Sequence, residues 1–384
     1  MKNIVIAIMT VLCGYLLLHA LGAFEFGSFI DREHREHHVA LRTEAVHAAP
    51  EYVLGAVYDD RDWADVETVK GIAVAVDIVN SQKSGKPFKL ITRSEAHSKP
   101  LHNTATQTFA DARDTAALVG PFESVHIPAT RALTQFYGLP LISPVTVASD
   151  KLPSLEPDNF VTLFPPLPLW VKAMLQHMQG RGFKKLFILS PSFGTYGDIF
   201  CTEMERIGRS HHGFTLIFRL NYQEPLRRHD IERLLRSRAG EVRFDAIFFG
   251  GSFQDLAEFS SILKDNEITL PVYGSDSLCS PEVTQSPGDF DLYLPKALWK
   301  NENTAFTELW RQRQNSEPGY LARFGADTVF LLHKVLQNIE TYDPQSVVEA
   351  MRKAVDEYLG NPESAPKIVM TVFPKNSGQA PAQP

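Results

Sequence analysis

Apolar and polar positions change rhythm at regular intervals along this chain. From Tyr52 the run YVLGAVY is short and continuously apolar. Residues 66–80 then place Val66, Val69, Ile72, Ala73, Val76 and Val79 at the spacing of one helix face. PFKLITRS predicts a second strand, residues 104–113 a helix, AALVG a third strand, residues 127–137 a helix and LPLIS a fourth strand. Such alternation predicts a parallel sheet covered on both faces. After the Pro-rich run Phe164 to Pro168 the same grammar restarts. A helix at 169–178 leads to a strand at 185–190, a helix at 196–210, FTLIFRL, a helix around 228–237, DAIFFGG, a helix at 253–264 and LPVYGS. Past Pro281 come DLYLPKALW, helices near 303–314, 320–339 and 343–358, and a last strand, KIVMTVF. The expected architecture is α/β, with two Rossmann-like lobes and a cleft between them. Residues 51–165 with about 290–340 are assigned to the first lobe, and 166–289 with about 341–373 to the second. Residues 374–384 are expected to be a disordered tail.

The N-terminus follows a different pattern. No charged residue occurs from Asn3 to Phe24, long enough for a helix to span a bilayer, and Lys2 ahead of it favours a cytoplasmic N-terminus. Residues 1–26 therefore read as an uncleaved signal anchor, or as a signal peptide cleaved near Gly22 or Ala23. Both readings export the rest of the chain. Residues 27–50 are polar and His-rich, a solvated tether with no ligand pattern that fixes a metal geometry.

Composition narrows the function. The 384 residues carry a net charge of −7 and no basic block with interleaved aromatics, which argues against nucleic acid as a partner. Three cysteines are too few for a disulfide framework; Cys201 and Cys279 are either two buried thiols or a bonded pair. No nucleophile elbow, phosphate loop or zinc-protease helix is present, and His126 two residues from Ser124 does not make a nucleophile and base. The chain reads as a non-enzyme without cofactor or metal.

What the pattern does favour is ligand capture. LVGPFES and LPLISPVT each end a strand in a polar loop on one sheet edge, where open α/β sheets bind ligands. A zwitterion needs hydroxyl and N–H donors at one end and a carboxylate at the other. Ser124 and Thr146 follow strands as such donors should, and Ser124 also suits a helix N-cap. Asp276 is a candidate carboxylate or an ordinary turn former. Tyr196 and Trp63 are candidate ligand covers or ordinary core aromatics, and Asp59 to Asp62 read as a solvated loop.

The order of these segments resembles the type I periplasmic solute-binding proteins of the branched-chain amino acid class, from about Tyr52 to Ala350. Four stretches carry the resemblance: GAVYDDRDWADVETVKGIAVAVDIVN, LVGPFES with PLISP, LFILSPSFGTYGDIF, and FDAIFFGGSFQDLAEFSSILKDNEITLPVYGSD; GYLARFGADTVFLLHKVL is similar as well. The resemblance implies the periplasmic-binding-protein-like I fold, with a hinge and an interlobe cleft. It implies Ser124 as donor to a ligand carboxylate, Tyr196 as the aromatic cover, Asp276 as partner of an ammonium, and Trp63 as an aromatic of the first ligand loop. Thr146 and Val147 stand where the family often has Ala-Thr, and Ser252 with Phe253 where a tyrosine is common. It also implies an extracytoplasmic protein that hands an amino acid-like solute to the permease of an ABC importer, held to the inner membrane by its N-terminus. A tethered sensor acting on a membrane partner, or a scaffold without ligand, uses the same fold.

Overall fold

The computed structural model describes residues 23–147, 158–191, 195–210, 213–223, 225–229, 231–232 and 243–375. The expected membrane segment falls almost wholly outside these, as do most of the helix expected around 228–237 and the end of the tail. Among the described residues no helix is long and apolar enough to cross a membrane.

The first sheet contains β1 (Tyr52–Tyr58), β2 (Phe88–Ser94), β3 (Thr115–Val119), β4 (Leu141–Ser143) and β5 (Phe160–Thr162), in the order β2-β1-β3-β4-β5. Every pairing is parallel, so all the strands end at one edge. The second sheet contains β6 (Lys185–Ser190), β7 (Leu216–Asn221), β8 (Ala246–Phe249), β9 (Val272–Gly274), β10 (Leu292–Leu298) and β11 (Lys367–Phe373), in the order β11-β10-β9-β8-β6-β7. Only the β10–β11 pair is antiparallel. Five of the six β6–β11 strands and all of β1–β4 coincide with apolar runs in the sequence that predict strands, the small offsets falling at their ends. β5 escaped because FVT is too short to show a period.

The division of the C-terminal third differs from expectation. β10 pairs with β9 and so belongs to the second sheet, not to the first lobe. The helix expected at 343–358 was assigned to the second lobe, but its apolar face, with Val347, Val348, Met351 and Val355, lies in one core with Leu54, Val119 and Ile142 of the first. The apolar pattern of a segment shows that it is buried, not which sheet buries it.

Helices α2 (Trp63–Ser81) and α10 (Tyr320–Asn338) fix the frame of the first lobe; between them in chain order lie α3 (Lys99–Asp111), α4 (Ile127–Phe136), α5 (Leu167–Gly180), α6 (Tyr196–Ser210), α7 (Phe253–Asp265), α8 (Pro281–Gln285) and α9 (Thr304–Gln314). α11 (Pro344–Gly360) follows. A Cβ at Gly71 would lie 2.0 Å from Ala322 O, and one at Gly325 2.4 Å from Thr68 O. The two backbones therefore touch, which only glycine at both positions allows. Gly319 N donates to Glu67 Oε1 at one end of this pair, and Gln337 Nε2 to Ser84 O at the other, so α2 and α10 start from the same end.

Residues 27–50 are not a solvated tether. α1 (Ala23–Ala48) is a helix seated on the first lobe, with Val46 in its core and Arg42 only 1% exposed. The Arg42 guanidinium donates to the carbonyls of Ala110, Ala112, Thr115 and Tyr137, at 2.5, 3.0, 2.7 and 3.3 Å. Cys201 and Cys279 are both free and buried, which closes the alternative of a bond between them; burial pushes the Cys201 thiol up to about 12.

Candidate functional site

Two sets of polar residues follow strand ends, one set on each sheet. On the first lobe β3 runs out into a loop that ends in a 3₁₀ turn, Ser124–His126, directly followed by α4. Ser143 at the end of β4 holds this loop: its Oγ donates to Pro121 O at 2.9 Å and accepts from Thr146 N at 3.0 Å. Thr146 is wholly buried and its hydroxyl hydrogen goes to Ser143 Oγ at 2.6 Å. It braces the loop. Val147 N donates to Ser124 Oγ at 3.4 Å, a long bond that leaves the hydroxyl of Ser124 able to serve another acceptor. Ser124 does not cap the turn, where Glu123 stands at the cap position without a side-chain bond.

On the second lobe β9 ends at Gly274, and the 3₁₀ turn Asp276–Leu278 follows. Asp276 is 5% exposed, and Tyr196 Oη donates to its Oδ1 at 2.5 Å. Tyr320 Oη donates to the backbone carbonyl of the same residue at 3.1 Å. Burial raises the Asp276 carboxyl from its ordinary 3.8 to about 6, against the opposing hydrogen bonds from Tyr196 and Tyr320. That corresponds to about 3 kcal/mol against the charged form. Among the described residues no Lys, Arg or His bridges this carboxylate. A buried acid of this kind gains most from a cation supplied by a ligand.

The Tyr-Gly pair has a packing reason. A Cβ at Gly197 would lie 1.7 Å from Gly250 O, so the first turn of α6 presses on the end of β8 and can do so only at glycine. This contact sets Tyr196 within reach of Asp276.

Trp63, the first residue of α2, packs against the second lobe's apolar cluster that contains Leu189, Leu256 and Leu278. Tyr320, first residue of α10, joins the same cluster and the neighbouring one around Trp170 and Phe200. Both aromatics thus sit at the N-terminal ends of the paired first-lobe helices and touch the second lobe. Ser252 is exposed and caps α7, accepting from Asp255 N at 3.3 Å. The structure therefore brings Tyr196 to Asp276, and Val147 with the Thr146 brace to Ser124. It ties Ser252 to its own helix.

A further polar group lies beside the first-lobe loop. Asp59, expected to be solvated, is buried, bonded to His97 Nδ1 at 2.8 Å and to Arg61 N at 3.1 Å. Glu95, directly after β2, is 2% exposed; one carboxylate oxygen accepts from His102 Nδ1 and the other lies 3.2 Å from His126 Nε2. Glu95, His102 and His126 offer ligand atoms within 4.8 Å of one another. Yet the two imidazoles are stacked, with centroids 4.0 Å apart and planes 8° from parallel. In-plane lone pairs of stacked rings run side by side, so they do not converge on one ion. Glu95, His102 and Tyr320 were not singled out from the sequence. A signal existed for Glu95, which follows a parallel strand at the same edge as Ser124.

No protein-family model and no curated protein matches the chain. Solved structures do. An ABC transporter substrate-binding protein from Desulfitobacterium hafniense is 20% identical with a TM-score of 0.67, over 79% of this chain and 89% of that one. The isoleucine complex of the branched-chain amino acid substrate-binding protein LivJ from Streptococcus pneumoniae is 17% identical with a TM-score of 0.65, over 79% and 88%. The leucine-binding protein LivK from Thermotoga maritima is 14% identical with a TM-score of 0.68, over 85% and 96%. The chain has the fold of these substrate-binding proteins.

Proposed function

We propose that this chain is an extracytoplasmic solute-binding protein that captures an amino acid, or a related zwitterion, between its lobes for an ABC-type importer. The observation that carries the reading is Asp276: a buried carboxylate, oriented by Tyr196 and lacking a protein cation among the described residues. A ligand ammonium supplies that cation. Ser124, with its hydroxyl at the first turn before α4, serves the ligand carboxylate. Tyr196 and Trp63 cover the ligand's apolar part. Ligand contacts made only when the lobes meet draw the protein towards closure. Neighbours of the same fold are described with bound leucine and isoleucine, which supports a branched apolar side chain as the first class to try.

α1 favours a tethered form of this role. It is fastened to the first lobe by Arg42, so an apolar segment 3–24 inserted in the inner membrane would hold that lobe at a set orientation, with the second lobe left to move. A fixed receptor of this kind serves a permease or, as the second reading, a membrane sensor partner.

The test is thermal unfolding of the refolded chain against L-leucine, L-isoleucine, other amino acids, organic acids and polyols. A true ligand at about a hundredfold over its Kd adds about 2.7 kcal/mol and raises the midpoint. Asp276→Ala is expected to abolish that rise. A rise that survives Asp276→Ala would remove Asp276 from the site, and no rise with any compound would sink the solute-binding role.

A further inference from the structure

The contacts of the first turn of α6 run along four neighbouring strands, in the order β9-β8-β6-β7. At one end of this row Tyr196 reaches Asp276, just past β9. In the middle Gly197 presses on Gly250, just past β8. At the other end stands Arg219 on the edge strand β7, a residue outside the proposed ligand site. Its Nη2 donates to Asp198 Oδ1 at 2.5 Å and to Ser190 Oγ, at the end of β6, at 2.8 Å. Its Nη1 donates to Thr202 Oγ1 at 2.9 Å and lies 3.6 Å from Glu205 Oε2. Its Nε donates to Asn221 Oδ1 at 2.8 Å. We propose that Arg219 is a positioning residue for ligand binding: it sets the rotation of α6 and so holds Tyr196 on Asp276.

Packing brings the helix to the sheet without fixing how it is turned. A glycine contact such as Gly197 on Gly250 joins two bare backbones, and a helix resting there is still able to rotate about its axis. Asp198, Thr202 and Glu205 lie four and three positions apart, on one stripe of α6. A planar guanidinium bonded along that stripe fixes both the height and the rotation of the helix. Residues two apart on a helix differ by roughly 200°, so Tyr196 projects on the side away from Asp198 and any rotation carries its ring with it. Hydrogen bonds weaken steeply with distance and angle, so a small rotation is enough to part Tyr196 Oη from Asp276. The burial of the pair fits this role. An arginine that only guards an edge strand keeps its head in water, whereas the side chains of Arg219 and Asp198 are each 13% exposed. Ser190, the third member, is wholly buried.

The consequence for affinity rests on Tyr196 and Asp276 being ligand residues, but the positioning itself is readable without ligand. A hydroxyl bonded to a buried carboxylate gives a downfield proton signal that exchanges slowly with water. In the full chain with labelled tyrosine, the Tyr196 signal is the one lost in Tyr196→Phe. Arg219→Met keeps the stem and removes the donors. It is expected to shift that signal upfield or lose it to exchange, while the signal of Tyr358, bonded to Asp327 at 2.6 Å, stays in place. Asp198→Asn, which weakens the Arg219 bond without emptying the space around it, gives the same result and covers the case in which Arg219→Met does not fold. L-leucine affinity is the second readout. Tyr196→Phe and Arg219→Met are each expected to weaken it roughly tenfold, and the double variant no more than Tyr196→Phe alone, since Arg219 acts through Tyr196. An unmoved Tyr196 signal in Arg219→Met and Asp198→Asn would overturn the proposal. So would losses that multiply to roughly a hundredfold in the double variant, the mark of two independent effects. If L-leucine fails to bind the wild type while the Tyr196 signal behaves as stated, the positioning stands and the amino acid reading falls.

Discussion

Asp276 concentrates the chemistry of the second lobe in one carboxyl group. Its folded value near 6 lies above the ordinary 3.8, so the folded chain holds a proton there that the unfolded chain has released. Stability from this group is present below about pH 4 and is lost as pH rises through about 6. Binding an ammonium demands the charged form. Affinity for L-leucine is therefore expected to be level above about pH 7 and to fall about tenfold per unit below about 6, with one proton released on binding. Calorimetry in buffers of different ionisation heat measures that proton. A flat profile in the wild type would place the ammonium elsewhere. Asp276→Asn should remove the pH dependence of stability in the same window. The place of Asp276 after a strand was legible in the sequence because an apolar run ends at Gly274. Tyr320 was not, since its bond goes to a backbone carbonyl 44 positions away and leaves no pattern in either segment.

At the scale of elements, strands and helices were readable because burial writes its period into the sequence: β3 is buried at all five positions, and α10 keeps an apolar stripe along its length. Partnership was not readable in the same way. α1 shows only scattered apolar residues among histidines and charges, and beside Val46 in the core its anchors are Arg42 on four carbonyls and Lys86 on two carbonyls of the helix, acceptors that any sequence would carry. The four carbonyls on Arg42 lie at the end of α3, the start of β3 and the end of α4, where helix and strand bonding has run out. Arg42→Met keeps the stem and removes the donors. It is expected to cost about 3 kcal/mol, because buried carbonyls lose charged partners, and to lower the unfolding midpoint by roughly 6–12 °C. Circular dichroism on the wild type and variant checks it. An unchanged midpoint would mean that α1 rests on the lobe without holding it.

At the scale of the molecule, the chain passes between lobes from β5 to α5, from β10 to α9 and from α11 to β11, so three crossings join the lobes among the described residues. Trp63, Tyr320 and Phe324 carry apolar contacts from the helices of the first lobe to the second. Trp63 and Tyr320 head helices whose backbones touch at Gly71 and Gly325, so neither can follow the second lobe if it swings away. Their contacts with the second lobe's clusters exist only while the lobes meet, so removing one is expected to shift the balance of open and closed forms. Trp63 is partly buried; its loss is expected to cost the closed form about 1–2 kcal/mol, which weakens L-leucine binding by about 5- to 30-fold. Small-angle scattering separates this from a lost ligand contact. If Trp63 acts on closure, Trp63→Ala without ligand scatters as a more extended particle, and saturating leucine restores the compact profile. If the ligand-free profile is unchanged while affinity falls, Trp63 acts on the ligand alone, and the lobes are held together by Phe324 and by Tyr320 with its bond to the Asp276 carbonyl.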